Sequence, residues 1–165
     1  MIPEIETTRM ILRPFRVEDA DEIWPCMTAN LARYMRWEPP ERAEDFEKIW
    51  RKWPMQFAEE SNCIFIARKK VDHSFIGLFG MHSFKTPTPR LGLWVREELH
   101  RQGFGPEGIV SVMNWARGDY SPDYFIYPVA EENIPSRKLV ESLGGKAVTT
   151  EQDPKFTLII YHIPA

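Results

Sequence analysis

The segment Leu91–Ala116 constrains the fold more than any other stretch of the chain. An apolar run, Leu91-Gly92-Leu93-Trp94-Val95, passes through His100-Arg101-Gln102-Gly103-Phe104-Gly105 into Pro106-Glu107. Beyond it Ile109, Val112, Met113 and Ala116 recur at spacings of three and four. This is the pattern of a strand, a glycine loop and a helix with one buried face. Glycines at 103 and 105 let backbone N–H groups converge, and the helix start adds unpaired donors and the positive end of its dipole. Such a turn suits an anion, phosphate above all.

The flanking sequence predicts a mixed α+β layer. Arg9–Phe15 alternates as a first strand. Val17, Ala20, Ile23, Trp24 and Met27 then fall on one helical face, with Pro25 expected to kink or end that helix. Phe46, Ile49, Trp50, Trp53 and Phe57 mark a second helix, with Glu41, Glu44, Asp45 and Glu47 crowding its start and Pro54 interrupting it. Strands follow at Cys63–Arg68, Phe75–Ser83 and Leu91–Val95, separated by Asp72-His73 and Thr86-Pro87-Thr88-Pro89, as in an antiparallel meander. After the glycine loop and its helix comes a strand at Tyr124–Val129. A helix then opens at Asn133-Ile134-Pro135 and stops at Gly144-Gly145, and strands near Lys146–Thr150 and Phe156–Ile163 close the chain. No repeat or linker divides residues 1–165, so one domain is expected. The stretch Asn30–Pro40 is neither polar enough for an ordinary loop nor periodic enough for a helix. Its Tyr34 and Trp37 either line a pocket or pack on the core edge.

With 165 residues, of which 43% are apolar and 13% aromatic, the chain can bury a sizeable core. A formal net charge of −3 argues against wholesale nucleic-acid binding, and Arg68-Lys69-Lys70 reads as a solvated strand end or a local basic patch. Cys26 and Cys63 form no CxxC and join no His/Cys cluster, so neither a disulfide framework nor a metal site is expected. No run approaches the roughly 20 apolar residues needed to span a bilayer. A cytoplasmic protein without membrane partners is the expectation.

Gly103, Gly105 and Gly108 form G-x-G-x-x-G, the dinucleotide fingerprint, but that loop follows the first strand of alternating βα units. Here it lies past the middle of the chain, behind a meander. The order of elements instead resembles the GNAT superfamily of acetyl-CoA-dependent N-acetyltransferases over nearly the whole chain. More narrowly it is similar to the RimJ/RimL branch, which acetylates ribosomal-protein N-termini and includes relatives acting on other amines. The resemblance is carried by Thr8-Arg9-Met10-Ile11-Leu12-Arg13-Pro14, by Leu91-Gly92-Leu93-Trp94-Val95, and by the block from Asn133 to Gly145, which matches N-x-x-S-x-x-L-x-E-x-x-G.

The resemblance implies a mostly antiparallel seven-stranded sheet with helices on both faces and a splay between the fourth and fifth strands. It implies that amides of the loop from Arg101 through Gln102, Gly103 and Phe104 to Gly105 hold the coenzyme A pyrophosphate. His100 stands where the family has Arg or Gln, and Pro106 replaces a residue that often donates to phosphate. The backbone of Leu93, Trp94 and Val95 would pair with the pantetheine arm, with an amide at Trp94 or Val95 stabilising the oxyanion. Many members protonate the leaving thiolate with a Tyr seven residues after the Asn, a position held here by Val140. The RimL-like pattern points instead to Ser136, with Asn133 on the pantetheine amide. Both residues are equally able to cap the helix.

For the base the branch implies a Glu in the loop after the sixth strand, near Glu151. His82 is a rival, as a base or as part of the acceptor site, and Tyr34 and Trp37 are candidates to contact the acceptor. Arg90 stands where the branch often has Glu. The expected activity is direct transfer of acetyl to a primary amine, of a protein N-terminus or a small molecule, in a ternary complex without a metal. The alternative is a catalytically silent domain that binds or senses acyl-CoA. A homodimer is left open.

Overall fold

In the computed structural model, which describes residues 2–165, eight strands form one sheet. β1 (Ile5–Glu6), β2 (Met10–Pro14), β3 (Asn62–Lys69), β4 (Phe75–His82) and β5 (Arg90–Val95) run antiparallel in chain order. β6 (Tyr124–Ala130) lies parallel to β5, and β8 (Thr157–Pro164) separates it from the edge strand β7 (Lys146–Gln152). A parallel neighbour requires a crossover, which the helix after the glycine loop supplies.

The helices are α1 (Ala20–Ile23), α2 (Ala29–Ala32), α3 (Ala43–Trp50), α4 (Lys52–Ala58), α5 (Phe104–Tyr120) and α6 (Ile134–Ser142). One core packs Phe65, Phe79, Ile109, Val112 and Met113 between the sheet and α5. The other packs Ile23, Phe46, Ile64, Ile66 and Trp94 under the N-terminal helices. Alternate residues of β3 feed opposite cores, which is why the strand reads as a nearly continuous apolar run.

Several local expectations are revised. The extra two-residue strand β1 arises because Thr7 turns the chain: the Met10 amide donates to its Oγ1, and its own amide to the Met10 carbonyl. Val17 is 55% exposed, because residues 17–19 form a tight 3-10 turn instead of the first turn of α1. The helix expected over 43–58 breaks at Arg51, one turn before Pro54. Proline there has no N–H for the Trp50 carbonyl and its ring crowds that carbonyl. The start of the 30–40 linker is helical, capped by Thr28 Oγ1. Arg68 and Lys70 are not free cations: Arg68 pairs with Asp19 and Glu22, and Lys70 with Glu6.

Gly108 lets α5 lie directly on β4. A Cβ there would stand 2.3 Å from the Phe79 ring. Gly108→Ala is expected to cost about 2 kcal/mol through overpacking, measured as a fall in the denaturant midpoint with an unchanged slope.

Candidate active site

β5 and β6 touch at one point, Arg90 opposite Ile126, where the Ile126 amide donates to the Pro89 carbonyl at 2.9 Å. Beyond it the two strands part. The Arg96 amide donates to the Ile76 carbonyl at 2.9 Å, which sets the phase of the β4–β5 ladder. By antiparallel alternation the Trp94 N–H faces Leu78 on β4, whereas the amides of Leu91, Leu93 and Val95 face the gap. Of the two amides named as oxyanion donors from sequence, the ladder therefore leaves Val95 available.

A cavity of about 340 Å³ fills the gap and continues under the 34–37 segment. Its wall includes Leu93, Trp94, Tyr34, Trp37, His82, Asn133 and Ser136, so most of the side chains singled out from sequence meet in one place. Trp37 packs toward Trp94 at a ring-centroid distance of 6.1 Å, which gives it a core contact as well as a place on the wall.

Asn133 caps α6, its Oδ1 accepting from the Ser136 amide at 3.3 Å. The capping and site readings thus coexist, since the cap leaves the Ser136 hydroxyl free. That hydroxyl lies 3.3 Å from the hydroxyl of Tyr127, a residue missed in the sequence. Tyr127 is 3% exposed, and burial pushes its phenol up to about 12 against the opposing pull of Ser136. A buried phenol must place its proton on an acceptor, and Ser136 Oγ is the partner present. Alternation along Tyr124–Ala130 turns Tyr127 inward, but its partner on α6 is visible only in three dimensions.

His82 closes β4 beside the cavity, opposite Arg90 in register. Burial first, and then the charges of Arg90 and Lys52, hold its imidazole below the ordinary histidine range. Both effects favour the neutral imidazole over the imidazolium. Glu151 stands inside β7, paired in register with Leu158, and not in the loop after that strand. Its carboxylate lies 3.5 Å from Arg36 and 3.9 Å from Arg90, and it is absent from the cavity wall.

The glycine loop leads into α5 with Gly103 at φ 81°, a conformation glycine adopts without strain. The first bond inside the helix runs from the Glu107 amide to the Gly103 carbonyl at 3.2 Å, so the amides of Phe104 and Gly105 precede the hydrogen-bonded ladder. Pro106 occupies the third helical position, one residue before Glu107, whose N–H is the first that the ladder needs. The His100 side chain turns to the strand: its Nε2 donates to the Val95 carbonyl at 2.6 Å and ties the loop to β5. Arg101 and Gln102 are exposed.

Two further residues brace this loop. Arg9 donates to the Gln102 carbonyl at 2.9 Å and to Glu107 at 2.8 Å, and lies 4.0 Å over the Phe104 ring. Glu107 also accepts from the Thr7 hydroxyl and the Arg9 amide, which fastens the start of α5 to the N-terminal hairpin.

A model of the acetyltransferase (GNAT) domain family matches residues 9–146. The chain belongs to the GNAT family. It is an acetyltransferase, and enzymes of this family draw on acetyl-CoA. It is 24% identical over 147 residues to the N-acetyltransferase YoaA of Bacillus subtilis (strain 168), a protein itself uncharacterised, with 87% of this chain and 83% of YoaA covered. Among solved structures it superposes with a TM-score of 0.87 on the Salmonella typhimurium enzyme that modifies the N-terminal serine of ribosomal protein L7/L12, at 11% identity and 99% coverage of each chain. The spermidine N-acetyltransferase of Vibrio cholerae, solved with CoA and spermine, superposes with a TM-score of 0.81 at 16% identity and 96% coverage of each chain. At such identities these likenesses establish the GNAT fold, the splayed mixed sheet expected from the sequence. No helix among the described residues is long and apolar enough to cross a membrane.

Proposed function

We propose that this GNAT protein moves the acetyl group of acetyl-CoA onto a primary amine, of a small molecule or a protein N-terminus, by direct attack in a ternary complex. The cavity between the parted β5 and β6 carries this reading, because it joins unpaired strand backbone, a neutral imidazole and a positioned hydroxyl in one place. Both cradles suit coenzyme A: first-turn amides behind a left-handed Gly103 for its pyrophosphate, and a free strand edge for its amide-bearing arm. When bound, acetyl-CoA supplies an activated acyl group.

The chain supplies the rest. The amides from Gly103 to Gly105, with Arg101 beside them, hold phosphate. Leu91 and Leu93 offer backbone groups as a neighbouring strand would, and the Val95 N–H donates where negative charge develops on the acyl oxygen. His82 accepts the proton shed by the attacking amine. Ser136 gives its proton to sulfur as the C–S bond breaks, held in place by the Tyr127 hydroxyl. Glu151 positions Arg36 and Arg90. Neither cysteine lines the cavity, and burial pushes both thiols up, away from the reactive thiolate.

The test is turnover with acetyl-CoA across a panel of amines and peptides, with calorimetry of acetyl-CoA binding. Acetylated product supports the reading. Absence of binding overturns it, and binding without turnover replaces it with an acyl-CoA-binding domain. Chemical-shift titration of His82 is expected to give a pKa below the ordinary value of about 6.5. Arg90→Gln removes one of the charges that disfavour the imidazolium, so the pKa should rise in that variant.

A further inference from the structure

We infer that the acceptor amine carries a carboxylate of its own, which Arg36 and Arg90 read at the cavity wall. This rests on the acetyl-transfer reading above and narrows its substrate class. Arg36 and Arg90 both line the cavity, and no Asp or Glu does so. Among the described residues the wall therefore carries two arginines and no acidic side chain, with Glu151 and Asp153 reaching those arginines from outside it.

Both guanidiniums also have donors to spare. Arg36 reaches Glu151 and Asp153 only at 3.5 Å each, and the Arg90 guanidinium makes no hydrogen bond among the described residues, the Glu151 carboxylate standing 3.9 Å from it. Elsewhere in the same protein Arg13 grips Asp19 through two bonds of 2.8 Å. The planar guanidinium fork matches a carboxylate bidentately, and at Arg36 and Arg90 that match is unfilled. Glu151 lies between the two arginines and holds them near one another, so a second carboxylate entering from the cavity can meet both.

The register limits the length of the acceptor. His82 and Arg90 are paired residues on adjacent antiparallel strands, so their side chains leave the same face of the sheet as neighbours. An amine delivered to His82 and a carboxylate delivered to Arg90 must belong to groups a few bonds apart. That describes an amino acid, or a peptide N-terminus followed at once by an acidic side chain. It excludes a polyamine, whose second positive charge would face the arginines.

The experiment compares kcat/KM for acetylation of matched pairs: β-alanine with its amide, glycine with glycinamide, a Ser-Glu peptide with a Ser-Lys peptide, and spermidine. The carboxylate member is expected to lead by at least tenfold, and the pair that shows the widest ratio separates free amino acid from acidic peptide. Arg90→Gln and Arg36→Gln should each shrink that ratio severalfold, whereas Arg51→Gln, on the outer face of the N-terminal helices, should not. An equal or better rate with the amides or spermidine overturns the inference, as does a ratio unchanged in both arginine variants. Lack of turnover with every member overturns acetyl transfer itself. Calorimetric titration of β-alanine and its amide into CoA-loaded protein then decides the charge preference alone, with equal binding overturning it.

Discussion

Ser136→Ala is expected to lower kcat about a hundredfold while leaving the KM for acetyl-CoA nearly unchanged. A thiolate protonated as it leaves needs its donor only while the C–S bond is breaking, so the lost interaction belongs to the transition state and not to the bound ground state. The structure separates this role from folding. The capping bond at α6 runs from the Ser136 backbone amide to Asn133, and alanine keeps that amide. Thermal unfolding should therefore move little. Tyr127→Phe leaves the Ser136 hydroxyl in place but frees it to rotate, and a loss of roughly threefold to tenfold in kcat is expected, smaller than that of Ser136→Ala. Steady-state kinetics on both variants decide the matter, and an unchanged kcat in Ser136→Ala would remove the serine from the mechanism.

Asp19→Ala should produce the largest loss of stability available from one charged residue. Asp19 is 1% exposed and accepts two bonds from Arg13, one from Arg68 and one from the Arg16 amide, all between 2.8 and 2.9 Å. Its removal leaves two half-buried guanidiniums facing an empty space and undoes the turn that positions α1. The cost is expected near 3 kcal/mol, a fall in Tm of roughly 6–12 °C for a chain of this size. The pH dependence has a definite sign. Burial opposes ionisation of Asp19, but the bonds from Arg13, the Arg16 amide and Arg68 together outweigh it and hold the carboxyl below the usual range. A depressed folded pKa means stability that is complete above the unfolded value of about 3.9 and is lost as pH falls through the folded one. Wild-type protein should lose stability on acidification below pH 4 more steeply than Asp19→Ala, as followed by chemical denaturation.

Where sequence and structure part, the cause is contact between distant segments. The meander, the crossover helix and the apolar faces of α5 and α6 follow from period and from Gly/Pro punctuation, which are local. Pro54 signalled a break correctly, yet the break falls at Arg51 because proline acts on the preceding turn. Val17 has the right spacing for a buried face and is exposed, because bonds to Asp19 wind residues 17–19 into a tighter turn. Glu151 reads as loop in the sequence, but pairing between Gln152 and Thr157 extends β7 past it.

Local pattern was enough to lay out the strand, glycine loop and helix, together with the GNAT family, whose motif made Asn133 and Ser136 the candidates. It was enough because backbone conformation and helix-end electrostatics depend on residues adjacent in the chain. Tyr127 behind Ser136, the burial and neighbouring cations that favour a neutral His82, the ladder phase that leaves the Val95 amide in the gap, and Arg36 meeting Arg90 across Glu151 came from packing. Each joins strands or helices far apart in sequence, and burial, register and charge proximity exist only once those elements are brought together.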